Sequence, residues 1–130
     1  MFKVRIVTPS GLYDEIDGVT LLNVVTTEGQ RGILSNHMPI VLMLVVSKMT
    51  IVKDKERNEY AISNGLLYFE DNLATLLIDS IEHKSDIDVE RALEAKDRAE
   101  QRLLKEANTD QQRAQIALEK AINRLKVAGK

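Results

Sequence analysis

Ser85-Asp86-Ile87-Asp88-Val89-Glu90-Arg91-Ala92-Leu93-Glu94-Ala95-Lys96-Asp97-Arg98 is the stretch on which the reading of this chain turns. Before it the apolar pattern has the short period of strands, and after it the period is helical. Ser85, Asp86 and Asp88 can each accept hydrogen bonds from the free N–H groups of a starting helix, and the two carboxylates suit the positive end of its dipole. The boundary therefore falls here, between a strand-rich segment, 1–84, and a helical segment, 85–130.

Upstream, Phe2, Val4 and Ile6 alternate with Lys3, Arg5 and Val7, which predicts a half-buried strand ending at Pro9-Ser10-Gly11. Further strands are predicted at Val19 to Thr26, at Gly32-Ile33-Leu34, and in two pieces of Ile40 to Val52 with a bend near Ser47. Tyr60-Ala61-Ile62, Leu66 to Glu70 and Leu73 to Ile78 continue the series, with turns at Asn64-Gly65 and Asp71-Asn72. Lys53 to Asn58 reads as a solvated hairpin loop. Gly29, Gly32 and Gly65 read as positions of positive φ or tight bends. Short strands separated by turn signals every 8–12 residues or so predict an antiparallel sandwich or barrel.

Downstream, Ala92, Ala95, Ala99, Leu103 and Ala107 recur at spacings of three and four, so they share one face of a helix from Asp88 to about Ala107. Asn108-Thr109-Asp110 reads as a short connector, and Thr109 with Gln112 resembles a capping box. The second helix carries Ala114, Ala117, Leu118, Ala121, Ile122 and Leu125 on its stripe. A short connector implies an antiparallel hairpin. Alanine stripes let helices approach closely but bury little area, so the hairpin is expected to be marginal alone and movable by a modest bias from a ligand or partner.

Composition narrows the function. A chain of 130 residues supports one core plus an appendage, and a formal charge of −2 gives no sequence-wide reason to expect nucleic acid or anionic lipid. There is no cysteine, so disulfides and thiolate metal sites are excluded. Apolar runs such as Ile40 to Val46 fall far short of the roughly 20 residues that cross a bilayer, and Met1-Phe2-Lys3-Val4-Arg5 does not lead into a signal-peptide core. No membrane insertion is expected. His37 and His83 are the only histidines, and neither a nucleophile elbow nor a G-x-x-x-x-G-K-[ST] loop occurs. Catalysis and metal binding are not expected; His37, just before Met38-Pro39, reads as a structural or interface residue.

The helical segment carries Arg91, Lys96, Arg98, Arg102 and Lys105, then Arg113, Lys120, Arg124 and Lys126. The plainer reading is a solvated surface with i,i+4 pairs such as Glu94 with Arg98. The sharper one is a clamp. Arg91 and Arg98 are seven apart and nearly on one face, Lys120 and Arg124 are four apart on the partner helix, and together they could hold a polyphosphate with Asp88 on a base or ribose.

The whole order of features resembles the epsilon subunit of bacterial F-type ATP synthases. The carriers are Ile6-Val7-Thr8-Pro9, Gly29-x-x-Gly32-Ile33-Leu34, Asn36-His37-x-Pro39, Asn64-Gly65, Ile87-Asp88-x-x-Arg91-Ala92 and Ala121-Ile122-Asn123-Arg124-Leu125. The resemblance implies a sandwich of about ten strands docked on the gamma subunit and the c-ring, with Gln30, Arg31, His37 and Met38 at that contact. It implies a hairpin that is compact, or extended toward the alpha/beta catalytic hexamer, where it restrains ATP hydrolysis. It also implies ATP as a regulatory ligand of the compact form, held by Ile87, Asp88, Arg91 and Ala92 with Glu82, Arg98, Lys120 and Arg124, and no required cofactor. Lys120 stands where close relatives carry arginine, Gln30 where they often carry an acid, and Ser35 where proline is common. The implied protein is a non-catalytic subunit at the cytoplasmic side of a bacterial cell membrane, in a proton-translocating complex. A structural adaptor with a fixed helical brace and no nucleotide site is the competing reading, and a free-standing nucleotide sensor a third.

Overall fold

The computed structural model describes residues 1–104 and 111–129. Among them, nine strands precede two helices: β1 (Phe2–Thr8), β2 (Gly11–Thr26), β3 (Gly29–Ile33), β4 (Ile40–Leu44), β5 (Ser47–Lys53), β6 (Glu56–Ile62), β7 (Gly65–Glu70), β8 (Leu73–Ile78), β9 (Ile81–His83), α1 (Val89–Leu104) and α2 (Gln111–Val127). The chain divides into two compact units, Met1–His83 and Lys84–Lys130.

The sandwich turns on β2. Its first half pairs with β1, Arg5 opposite Glu15 and Ile6 opposite Asp14. Its second half pairs with β3 and β5, so that Asn23 faces Gly32 on one side and Thr50 on the other. Gly18, at φ 71, lies beside the register shifts where β2 changes partners. A residue without Cβ accepts that backbone freely, and the bulge re-aims the strand from one layer to the other. One layer is then β1-β8-β7-β4 and the other β3-β2-β5-β6-β9, joined where Thr26 faces Leu44. Between them lie Phe2, Val4, Ile6, Leu22, Val24, Met49, Ile51, Leu67, Phe69 and Leu76, all buried. Phe2 and Phe69 meet edge to face at 5.5 Å. Burying a side chain of this size contributes roughly 2–3 kcal/mol.

Four details depart from the expected pattern. Among the described residues the strands number nine, against about ten expected. Pairing is antiparallel except between β1 and β8, which run parallel because the whole of β2 to β7 intervenes and supplies the crossover that parallel strands need. β2 begins at Gly11 rather than Val19; its exposed start, with Asp14, Glu15 and Asp17, has a loop-like composition but is held by β1. Lys3 lies 3.2 Å from Glu15 and 3.5 Å from Asp17, and the Arg5 Nε–H donates to Glu15 at 3.1 Å. Arg5, then Lys3, hold the Glu15 carboxyl below its ordinary range. The short β9, carrying Glu82 opposite Ala61, had no clear sequence signal in three residues.

Lys53 to Asn58 is not an open loop. Lys53 already pairs with Glu56, leaving Asp54 and Lys55 alone as a two-residue turn with φ 51 and 66. That is the left-handed pair of a type I′ hairpin, for which Asn-Gly is the favoured sequence. Lysine in that region pays a steric cost of roughly 1 kcal/mol. Asp54→Asn with Lys55→Gly is expected to raise unfolding stability by about 1 kcal/mol, read as a higher urea midpoint at constant slope; an unchanged midpoint would show that this turn relaxes at no cost.

In the second unit a 3-10 turn, Lys84–Asp86, leads into α1. Ala92 and Ala99 on α1, and Ala114, Ala121, Leu125 and Val127 on α2, are buried. Ala117 and Ile122, expected on the buried stripe, are exposed, because the contact follows the narrower seven-residue spacing of Ala114 and Ala121. The two helices pack on one another. Gln111 Nε2 donates to the carbonyl of Arg102 at 3.4 Å, bringing the start of α2 back to the end of α1 and making the pair antiparallel. Lys105, Ala107, the Asn108-Thr109-Asp110 connector and the Thr109 cap lie outside the described residues. Glu94 and Arg98 do not pair; Lys96 instead meets Glu100 at 3.8 Å.

Candidate functional site

The outer face of the β1-β8-β7-β4 layer is the most unusual surface of the sandwich. On a strand with one covered face, alternate residues should be polar. Here they are not. Register sets Met43 opposite Leu66, Leu66 opposite Leu77 and Leu77 opposite Val7, while the next row runs Val41, Tyr68, Thr75 and Arg5. Val41 is 70 % exposed, Met43 61 %, and Leu66, Tyr68 and Leu77 between 41 and 44 %. Leu12, paired with Val7, adds a further exposed side chain. A shallow pocket of ≈ 320 Å3 lined by Val7, Thr8, Pro9, Leu77, Ile78 and Asp79 indents its border. The ion pairs of Lys3 and Arg5 with Glu15 stand along the same side, so apolar centre and charged rim reproduce the anatomy of a protein interface.

The residues expected at a docking contact lie on β3 and just beyond it. Gln30 and Arg31 are exposed on β3, a strand paired only with β2, and Arg31 reaches Glu28 at 3.5 Å. The following turn is firmly held. Asn36, at φ 62, takes its amide to Asn72 Oδ1 at 2.7 Å, and Asn72 returns its Nδ2–H to Asn36 Oδ1 at 3.1 Å. The His37 ring stands 6.0 Å edge to face from Phe69, with Nδ1 2.7 Å from the Met38 carbonyl. This fixes Met38, 78 % exposed, as a projecting apolar tip. The His37 ring thus packs against the core at Phe69.

The helical unit holds most of the residues expected to bind nucleotide. Asp88 caps α1: Oδ1 accepts the Arg91 amide at 3.1 Å, and its carbonyl accepts that of Ala92 at 3.0 Å. Ala92 is buried, while Arg91 and Arg98 are exposed on α1. Lys120 and Arg124 are half-buried on α2 and already make interactions. In an antiparallel pair whose closed end joins Arg102 to Gln111, Arg91 falls level with Ile122, so Arg91 and Arg124 both lie toward the end of the hairpin opposite that junction. Ile87 precedes the cap, and Glu82 stands on β9 in the sandwich unit. His83, at the end of β9, packs edge to face on Tyr60 at 5.1 Å and places Nε2 3.0 Å from Asn58 Oδ1. Burial, with Tyr13 and Asp14 nearby, pushes the Tyr60 hydroxyl up to about 12, so it stays protonated. Among the described residues no group of His, Cys, Asp and Glu is arranged to hold a metal, and no helix is long and apolar enough to cross a membrane.

Residues 1–84 match the family described as ATP synthase, Delta/Epsilon chain, beta-sandwich domain, and residues 85–129 match its long alpha-helix domain. An ATP synthase epsilon chain of Pediococcus pentosaceus is 42% identical, covering 98% of this chain and 95% of its own. That of Halalkalibacterium halodurans is 43% identical, over 98% and 96%. The chain belongs to the ATP synthase epsilon-chain family. Epsilon chains are non-catalytic subunits, in keeping with a surface built for contact. The fold recurs in a mitochondrial ATP synthase assembly of Euglena gracilis, with a TM-score of 0.84 at 19% identity over 98% of this chain and 80% of that one. It recurs again in the central stalk and c-ring of the Tetrahymena thermophila enzyme, with a TM-score of 0.65 at 13% identity over 98% and 96%.

The apolar outer face was missed in the sequence, although its signal was present. Ile40-Val41-Leu42-Met43-Leu44 is apolar at every position, and Leu66, Tyr68 and Leu77 break the alternation of their own strands. A strand apolar on both faces needs a second cover, which this chain's core does not supply.

Proposed function

We propose that this chain is the epsilon subunit of the central stalk of a bacterial F-type ATP synthase, bound peripherally at the cytoplasmic side of the membrane. The observation that carries this reading is the exposed apolar face of β1, β8, β7 and β4 on a member of this family. Through it the sandwich docks on the gamma subunit, while Gln30 and Arg31 on β3 and the Met38 tip meet gamma and the c-ring. The Euglena gracilis and Tetrahymena thermophila assemblies that contain a chain of this fold both include a c-ring.

The helical unit acts as an ATP-sensitive brake on hydrolysis. Its contact is made largely of alanine, so each turn gains little from burial and a modest free energy shifts its equilibrium. ATP held only by the compact form, through Arg91, Arg98, Lys120 and Arg124 with Glu82 and the Ile87-Asp88 cap, favours that form by RT ln(1 + [L]/Kd), about 2.7 kcal/mol at 100 times Kd. The cap leaves Asp88 Oδ2 as the oxygen for a base or ribose. Released, the cations meet acidic surface on the alpha/beta hexamer.

Calorimetry with ATP on the full chain is expected to give saturable heat that falls at least tenfold in affinity in Arg91→Ala. Deleting residues 86–130 in the reconstituted complex is expected to release ATP hydrolysis while leaving coupling largely intact. Equal heats in the two proteins remove the nucleotide site. Hydrolysis that the deletion leaves unchanged at every ATP concentration removes the brake, and favours the fixed brace.

A further inference from the structure

A second depression lies on the outer face of the other layer, among the sandwich's own strands. Asn23, Val24 and Val25 on β2, Gln30 on β3, Lys48 and Thr50 on β5 and Arg57 on β6 line a pocket of ≈ 200 Å3. The ladder gathers them: Asn23 is opposite Thr50, Val25 opposite Gln30, and Thr50 opposite Glu59, two residues from Arg57. These polar side chains therefore share one face of the sheet.

Three features distinguish this depression from ordinary polar surface. Thr50 is only 3 % exposed, yet its hydroxyl has no hydrogen-bond partner among the described residues. Since no buried side-chain oxygen is sealed off without a partner, that hydroxyl must open onto the pocket. Arg57 has no ion-pair partner among the described residues, and Lys48 has only Glu59, at a loose 3.6 Å. Every polar side chain on the wall offers donors, namely a guanidinium, an ammonium, two amides and a hydroxyl, and no carboxylate lines it. A buried hydroxyl and an uncompensated guanidinium facing one space call for an acceptor-rich guest.

We propose that this depression binds a small tetrahedral oxyanion of the phosphate class, either free phosphate or the terminal phosphate of a nucleotide. The size fits, being below the roughly 300 Å3 at which pockets for larger organic ligands begin. The Arg57 fork takes two oxygens, Lys48 supplies a point charge, and Thr50 with the Asn23 or Gln30 amide donates to the remainder. Lys48 turns from Glu59 toward the anion as it enters. The site shares no residue with the nucleotide site proposed above and stands or falls separately from it.

The test is an NMR titration of the full chain with sodium phosphate, with ionic strength held constant by sodium chloride. Saturable shifts are expected at Asn23, Gln30 and Thr50 and at the Arg57 side chain. Arg57→Gln and Lys48→Gln, both at exposed positions, are each expected to weaken binding at least tenfold, whereas Lys126→Gln leaves it unchanged. Persistence of the same shifts in Arg91→Ala separates this site from the other. If ATP, but not free phosphate, moves these residues in both the natural chain and Arg91→Ala, the guest is a nucleotide's terminal phosphate. Shifts that sodium chloride alone reproduces, or affinities unchanged in both Arg57→Gln and Lys48→Gln, overturn the proposal.

Discussion

Replacing Gly65 with alanine is expected to lower the unfolding free energy of the sandwich by about 3 kcal/mol, near the upper end of what overpacking costs. Gly65 opens β7 and is paired to Leu44 on one side and Ile78 on the other. A Cβ built there would run into the Leu77 carbonyl oxygen and come within 2.9 Å of the Ile78 Cα. Both obstacles are backbone atoms of β8, held in the ladder with β7 and with β1, so neither can rotate away. Relief requires β7 and β8 to separate at the residue where the chain leaves β6 and enters the other layer. Urea unfolding measures the effect. The informative comparison is Gly29→Ala, where φ is +114 and no atom lies within 4 Å of the added carbon, so that only backbone strain is felt. A Gly65→Ala midpoint equal to the natural protein's would mean that the strands part freely, and the packing argument would be lost.

Introducing charge on the apolar outer face is expected to have the opposite signature, leaving the chain folded and removing its partner. Val41→Asp with Tyr68→Asp places two carboxylates on directly opposed residues of β4 and β7. Val41 is largely and Tyr68 partly in water in the isolated chain, so the loss of stability should be small beside that of Gly65→Ala. Against gamma the arithmetic changes. Each carboxylate would be buried without a counter-charge, and the tyrosine is the kind of large, rigid side chain that dominates interface energetics. Affinity for purified gamma subunit is expected to fall at least a hundredfold. Undiminished binding by the folded double variant would move the interface off this face and leave the β3 and Met38 region as the docking element.

The Gly65 variant and the Val41/Tyr68 double variant also mark how differently these surfaces could be read in advance. Strand existence was legible because alternation in Phe2 to Val7 and turn pairs such as Asp71-Asn72 are local signals; Asp71 and Asn72 do take up left-handed φ of 52 and 56. Gly29 was read for its backbone freedom and has it. Gly65 was read the same way, but what requires glycine there is the close approach of β8, a contact between residues twelve or more positions apart. Leu66 and Leu67 look alike in the sequence, yet one is 41 % exposed and the other fully buried, because only the sheet decides which side faces the second layer.

By itself the sequence determined that a strand-rich unit is followed by a helical one, and that the first helix is capped from within Ser85, Asp86 and Asp88, among which the structure picks Asp88. Each of these depends on residues within about one helical turn or one hairpin of each other, where propensity and capping act directly. The tertiary structure alone decided that β2 serves both layers through the bulge near Gly18, that β1 and β8 run parallel, and that Val41, Met43, Leu66, Tyr68 and Leu77 form one exposed face. It likewise gathered Asn23, Thr50 and Arg57 around one pocket from three strands. Register is set by mutual burial of distant segments, so such surfaces exist only once the sheet has closed.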